Sequence, residues 1–126
     1  MAGSPLIAIV DDDESVRDAL TSLLHAVGWQ AKGFASAEAF LQSGHVHTTV
    51  CLLLDVRLPG ISGLELQRQL HSSQARLPII FLTALVTHGE AQSGLHIQGH
   101  PFVAKPISIP ELIDAIEKHL PARAEC

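Results

Sequence analysis

Cations are scarce in this chain. Lys and Arg total 8 of 126 residues against 13 Asp and Glu, and the formal net charge is −5. They form no basic run, and neutralising phosphates takes clustered cations, so direct nucleic-acid binding by this segment is not expected. No apolar stretch approaches the length of a membrane span and no signal-peptide pattern opens the chain. Cysteine is nearly absent: Cys51 falls inside an apolar run and Cys126 is the last residue. Two such residues make no disulfide framework, which points to a reducing cytoplasm. There is no internal repeat and no low-complexity tract. What the chain does have is apolar material, 47% of its residues, enough for one compact domain with a core of its own.

That material falls into short runs. Leu6–Val10, Val50–Leu54, Ile79–Leu82 and Phe102–Ala104 are too short for helices and too continuous for half-exposed strands, so they predict buried parallel strands. Gln30–Phe34 is a more modest strand. Between the first two, Val16, Ala19, Leu20, Leu23, Leu24 and Val27 recur at helical spacing as far as Gly28, a C-terminal stop, with Asp13 or Asp12 as cap. Ser36 caps a short helix to about Gln42. Ser62 and Glu65 form a capping box for a helix to about His71. Ser108 caps a last helix whose stripe is Ile109, Leu112, Ile113, Ile116 and Leu120, ended by Pro121. From Thr83 to Phe102 the pattern is poor. A helix around His88–Ile97 is expected there, short or partly unwound, because Gly89, Gly94 and Gly99 each cost roughly 1 kcal/mol against Ala. Residues 1–5 read as a flexible lead-in, 6–120 as the domain, and 121–126 as a tail or the start of a linker.

Five alternations of strand and helix predict an α/β fold, a flavodoxin-like five-stranded parallel sheet of order 2-1-3-4-5 with helices on both faces. In that order the first and third strands lie side by side at the switch point, and ligands bind beyond the carboxyl ends of such strands. The residues that follow the apolar runs are Asp11-Asp12-Asp13, Asp55, Thr83 and Lys105. One sheet edge therefore gathers several carboxylates, a hydroxyl and an ammonium, a set suited to a divalent cation and a phosphoryl group. Each feature has a bland alternative taken singly: a capped loop for Asp11–Asp13, a turn residue for Asp55, strand ends for Thr83 and Lys105. Their joint placement at four strand ends favours the site. The eight histidines are scattered; His96 and His100 stand four apart, but Gly99 and Pro101 oppose a regular helix there, and zinc is not expected.

In these segments the chain resembles the bacterial response-regulator receiver domain. Ile9-Val10-Asp11-Asp12-Asp13, Leu54-Asp55-Val56-Arg57-Leu58-Pro59-Gly60, Ser62-Gly63-Leu64-Glu65-Leu66, Leu82-Thr83-Ala84 and Val103-Ala104-Lys105-Pro106 occur in family order and spacing, from Ile7 to Leu120. Asp55–Gln67 looks most like the FixJ-type subgroup, whose members usually carry a helix-turn-helix output domain. The resemblance implies that Asp55 accepts a phosphoryl group from a histidine kinase. It also implies that Asp12 and Asp55 ligate Mg²⁺, with Asp11 acting through a water and Arg57 through its backbone carbonyl. By the same resemblance Thr83 and Lys105 hold the phosphoryl oxygens, Phe102 changes rotamer with Thr83 on activation, and the bond before Pro106 is cis. It further implies a switching face of fourth helix, fifth strand and last helix that dimerises on phosphorylation or contacts an output or DNA-binding domain elsewhere in the full-length protein. Such a domain is no enzyme toward external substrates; it catalyses only its own phosphorylation and dephosphorylation.

Two other functions fit parts of this pattern. A pseudo-receiver would act as an interaction module without phosphorylation, but every reacting residue type is present. A haloacid-dehalogenase-type phosphohydrolase also forms an aspartyl phosphate, yet it carries a second acid two residues after the nucleophile, where this chain has Arg57. A flavin or nucleotide site is opposed by the acidic first loop, which would repel a phosphate.

Overall fold

A computed structural model of the chain describes residues 6–46, 48–56, 58, 60–72, 77–83, 96–97, 100–104 and 107–119. Its strands are β1 (Leu6–Val10), β2 (Gln30–Phe34), β3 (Thr49–Asp55), β4 (Ile79–Thr83), β5 (His96–Ile97) and β6 (His100–Ala104). Its helices among the described residues are α1 (Glu14–Val27), α2 (Ala37–Gln42), α3 (Gly63–Ser72) and α4 (Ile109–His119). The sheet order is β2-β1-β3-β4-β6-β5. The first five of these pair in parallel, which is the expected order, and β5 adds a short antiparallel edge.

The continuous apolar runs form central strands because both of their faces are covered. Side chains alternate along a strand. Ala8, Val10, Leu52, Leu54, Ile79 and Phe81 therefore enter one core with Ala37 and Phe40 of α2 and Leu66 and Leu70 of α3. Ile7, Ile9, Cys51, Leu53, Ile80 and Leu82 enter the other with Leu20 and Leu24 of α1 and Leu112 and Ile116 of α4. Thus each helix buries one stripe against a sheet already filled on its far side. The stripes thin at the helix ends: Val27, last in α1, and Ile109, first in α4, are 44% and 51% exposed although both continue the apolar spacing.

Local signals set the helix bounds. The Asp13 carboxylate, rather than that of Asp12, caps α1 by accepting the N–H groups of Ser15 at 2.9 Å and Val16 at 3.4 Å. Gly28 ends it at φ 113°, a left-handed conformation that glycine adopts without penalty, with its N–H returned to the Leu24 and His25 carbonyls. Ser36 caps α2 through the Ala39 N–H at 3.0 Å. At α3 the Ser62 hydroxyl accepts the Glu65 N–H at 3.1 Å, while the Glu65 carboxylate pairs forward with Arg68 at 3.1 Å. Half of the expected capping box is therefore formed.

The expected helix around His88–Ile97 is corrected at its end. His96 and Ile97 are strand, paired antiparallel with Pro101 and His100. Pro101 biases the residue before it toward extended backbone, and a two-residue connection between paired strands is the usual hairpin length. Residues 88–95 lie outside the described set.

Cys51 stands at the middle of β3 with no exposed surface, and burial pushes its thiol up to about 12 from 9.0. The folded state then keeps a proton that the unfolded chain loses above pH 9. Stability is thus full below that pH and falls as pH rises toward 12, by about 1.4 kcal/mol per unit. Denaturant melts between pH 9 and 11 should show this slope and a Cys51→Ala variant should lose it.

Candidate functional site

β1 and β3 are neighbours, and Val10 stands in register with Leu54, so the residues that leave the two strands, Asp11 and Asp55, emerge side by side. The Asp11 N–H continues the ladder to the Phe34 carbonyl at 3.1 Å, and the Val56 N–H continues it to the Leu82 carbonyl at 3.0 Å. Asp11 is consequently tied to β2 through its own N–H, and Asp55 to β4 through that of the next residue. Asp11 is fully buried, Asp55 is 7% exposed and Asp12 lies open to solvent. One carboxylate oxygen from each of the three falls within 4.8 Å of the others.

Several groups keep Asp11 where it is. Its Oδ1 accepts the Asp13 N–H at 2.9 Å, and its carbonyl accepts from Arg17 Nη1 at 2.8 Å. Asp13 is the helix cap and so lies outside the acidic trio. Arg17 reaches back over Gly33 of β2, where a Cβ would sit 3.2 Å from the arginine stem.

On the β3 side, Gly63 opens α3 directly against the end of that strand. Its N–H donates to the Val56 carbonyl at 3.1 Å. A Cβ at that position would overlap the Asp55 carbonyl oxygen and approach the Val56 Cα to 3.0 Å. Between β3 and α3, Leu58 is buried in the core that also holds Ala37 and Phe40, and Glu38 Oε2 accepts the Ile61 N–H at 3.2 Å.

The expected site residues are therefore distributed as follows. Asp11, Asp12 and Asp55 come together. Thr83 ends β4 one position beyond Leu82, the register partner of Asp55, and itself pairs with Ala104. Phe102 lies in β6 opposite Phe81. The side chains of Thr83 and Phe102, and the whole of Arg57, Lys105 and Pro106, lie outside the described residues. Sequence reasoning assigned no role to Gly63, Glu38 or Arg17. Gly63 carried one legible signal, a glycine at the start of a predicted helix where it would cost stability without a packing reason. Glu38 and Arg17 carried none, because their partners are set by tertiary approach.

Three carboxylates this close repel one another, and hard oxygen donors are what Mg²⁺ or Ca²⁺ takes. Octahedral Mg²⁺ ligands stand roughly 3–4 Å apart, so small side-chain rotations bring the trio onto one ion. The donor set fits a hard divalent cation.

A family model described as the response regulator receiver domain matches residues 7–117. Nodulation protein W of Bradyrhizobium diazoefficiens is 40% identical over 114 residues, 88% of this chain and 49% of that protein. Transcriptional regulatory protein TdiR of Thauera aromatica is 38% identical over 122 residues, 94% of this chain and 52% of that protein. Among solved structures, the crystal structure of FixJ-N is similar at TM-score 0.77 and 34% identity, covering 96% of this chain and 99% of that one. The chain spans about half the length of the curated relatives it matches.

Two outcomes check this geometry. At a free Mg²⁺ concentration 100 times its Kd, the wild type should gain about 2.7 kcal/mol in denaturant melts, and Asp12→Asn should lose most of that gain while melting higher than wild type in EDTA. Gly63→Ala should cost roughly 1–3 kcal/mol by overpacking against Asp55, read in the same melts.

Proposed function

The chain belongs to the response regulator receiver family, and on that premise we propose that it is the phosphoacceptor switch of a two-component system, with Asp55 as the residue phosphorylated. The observation that carries this reading is the convergence of Asp11, Asp12 and Asp55 at the carboxyl ends of the two central strands. Asp12 and Asp55, with Asp11 through a water and the Arg57 carbonyl, are the groups that would hold Mg²⁺. The ion would offset negative charge on the transferred group. All else falls to the side chains.

A carboxylate oxygen of Asp55 attacks the phosphorus of a histidine kinase's phosphoimidazole. The new P–O bond forms as the P–N bond breaks, and its electron pair returns to the imidazole nitrogen, which takes up a proton. Asp55 is fixed by the ladder bond at Val56 and by the Gly63 contact, so the attack needs little reorganisation. Thr83 ends β4, Lys105 is the residue after β6 in the sequence, and both are assigned to the phosphoryl oxygens, where they would offset charge that spreads over them. The aspartyl phosphate adds charge and acceptor atoms. It favours one of two arrangements of Thr83 and Phe102, and the shift is only as large as that differential stabilisation. One or two charge-assisted hydrogen bonds, about 1.5–3 kcal/mol each, approach the 5.5 kcal/mol that a shift from 1:99 to 99:1 requires.

Similarity to FixJ-N and to a transcriptional regulatory protein supports a FixJ-type assignment, with a helix-turn-helix output domain in the full-length protein as the regulated partner. No described helix is long and apolar enough to cross a membrane, in keeping with a cytoplasmic phosphorelay. Phosphorylation-dependent pairing of two copies through the β6–α4 side belongs to the same proposal.

Incubation with Mg²⁺ and acetyl phosphate should add one phosphoryl group by intact mass, lost in EDTA and in Asp55→Asn. A wild type that gains none, or a gain that survives Asp55→Asn, removes this reading and leaves the phosphorylation-independent module. Sustained phosphate release from unrelated esters would point to the hydrolase.

A further inference from the structure

Glu38 bears a carboxylate that the phosphoacceptor chemistry does not use. It sits half-buried in the first turn of α2, and its Oε2 accepts the backbone N–H of Ile61, 23 residues away, at 3.2 Å. Gly60 makes this approach feasible. It holds φ 74°, and a Cβ there would stand 2.7 Å from the same carboxylate oxygen. Both elements also enter one hydrophobic core, which Leu58 shares with Ala37 and Phe40 of α2.

The described residues between Val56 and Gly63 are thus tied down at three places. The ends are closed by the Gly63 N–H on the Val56 carbonyl at 3.1 Å, the middle is seated through Leu58, and the far turn is held by Glu38. This segment leaves Asp55 directly and contains the position whose carbonyl is assigned to the metal. We propose that Glu38 is a positioning residue for the acidic site: through the Ile61 N–H it holds the segment after Asp55 in its metal-binding arrangement and couples α2 to Mg²⁺ affinity. The inference rests on the proposed phosphoacceptor function. It assigns a role to an acid outside the Asp11, Asp12 and Asp55 trio. Linkage makes the coupling reciprocal, so bound Mg²⁺ tightens the Glu38–Ile61 bond by the factor that the bond adds to Mg²⁺ affinity.

The test is a calorimetric Mg²⁺ titration of the full chain, wild type beside Glu38→Ala and Glu38→Gln. Glu38→Ala should bind Mg²⁺ about tenfold more weakly, the usual effect of removing a support behind a metal ligand. Its phosphorylation by acetyl phosphate should need correspondingly more Mg²⁺ while reaching the wild-type rate at saturation. Glu38→Gln keeps an amide oxygen that accepts from Ile61 and should stay within about threefold of wild type. Unfolding in EDTA tells a folded variant from a damaged one. If Glu38→Ala does not fold, the glutamine variant and a measurement on the wild type decide: hydrogen exchange at the Ile61 amide should slow when Mg²⁺ binds. Unchanged affinity in folded Glu38→Ala, a glutamine variant as weak as the alanine one, or an Ile61 amide indifferent to Mg²⁺ each overturns the inference. A wild type that binds no Mg²⁺ and gains no phosphoryl group fails the parent reading instead.

Discussion

Like charges do not gather without a frame that holds them, and here the frame is the hydrogen-bond ladder of the two central strands. Asp11 and Asp55 are buried, within 4.8 Å of each other and of Asp12, because Val10 and Leu54 are paired one residue earlier. The repulsion this stores is set against the burial of both faces of the sheet. Ala8 and Val10 on one side, Ile7 and Ile9 on the other, cannot be moved without opening a core. Rigidity of the strands therefore becomes affinity of the site, since a cation that relieves the repulsion need not order the ligands that bind it.

The connections leaving the strands do the finer placement. After β1 the chain turns at once into α1, with Asp11 accepting the Asp13 N–H and Asp13 in turn capping the helix. After β3 the turn is longer and is closed onto its own start by Gly63. The two acid-bearing turns thus differ in kind. One is stabilised by its own carboxylates and by Arg17 of the helix it enters, the other by contacts from α2 and α3. A turn held by neighbouring elements can report to them, which is why the inference about Glu38 belongs to the β3 side.

The sheet was legible in the sequence because burial on both faces leaves a signature that needs no partner to be read, a short continuous apolar run ending in polar residues. Helix ends were legible for the same reason: Asp13, Gly28 and Ser36 act within their own turns. Alternation of elements pointed to a parallel sheet, the flavodoxin-like fold supplied its order, and that order held. The region after Thr83 was not legible in this way. His96 and Ile97, placed at the end of an expected helix where the apolar pattern is poor, pair as strand with His100 and Pro101, and a poor pattern carries no information about a strand partner.

The amino-acid sequence alone determined which residues could do chemistry and on which edge they would meet, because residue type, strand ends and topology are local or combinatorial properties. Tertiary structure alone decided how that edge is held. Gly63 is intolerant of a side chain only because the Asp55 carbonyl lies against it, and Glu38 has a partner only because α2 packs beside a turn 23 residues later. Such contacts depend on distances between elements, and those distances exist only once both cores have closed.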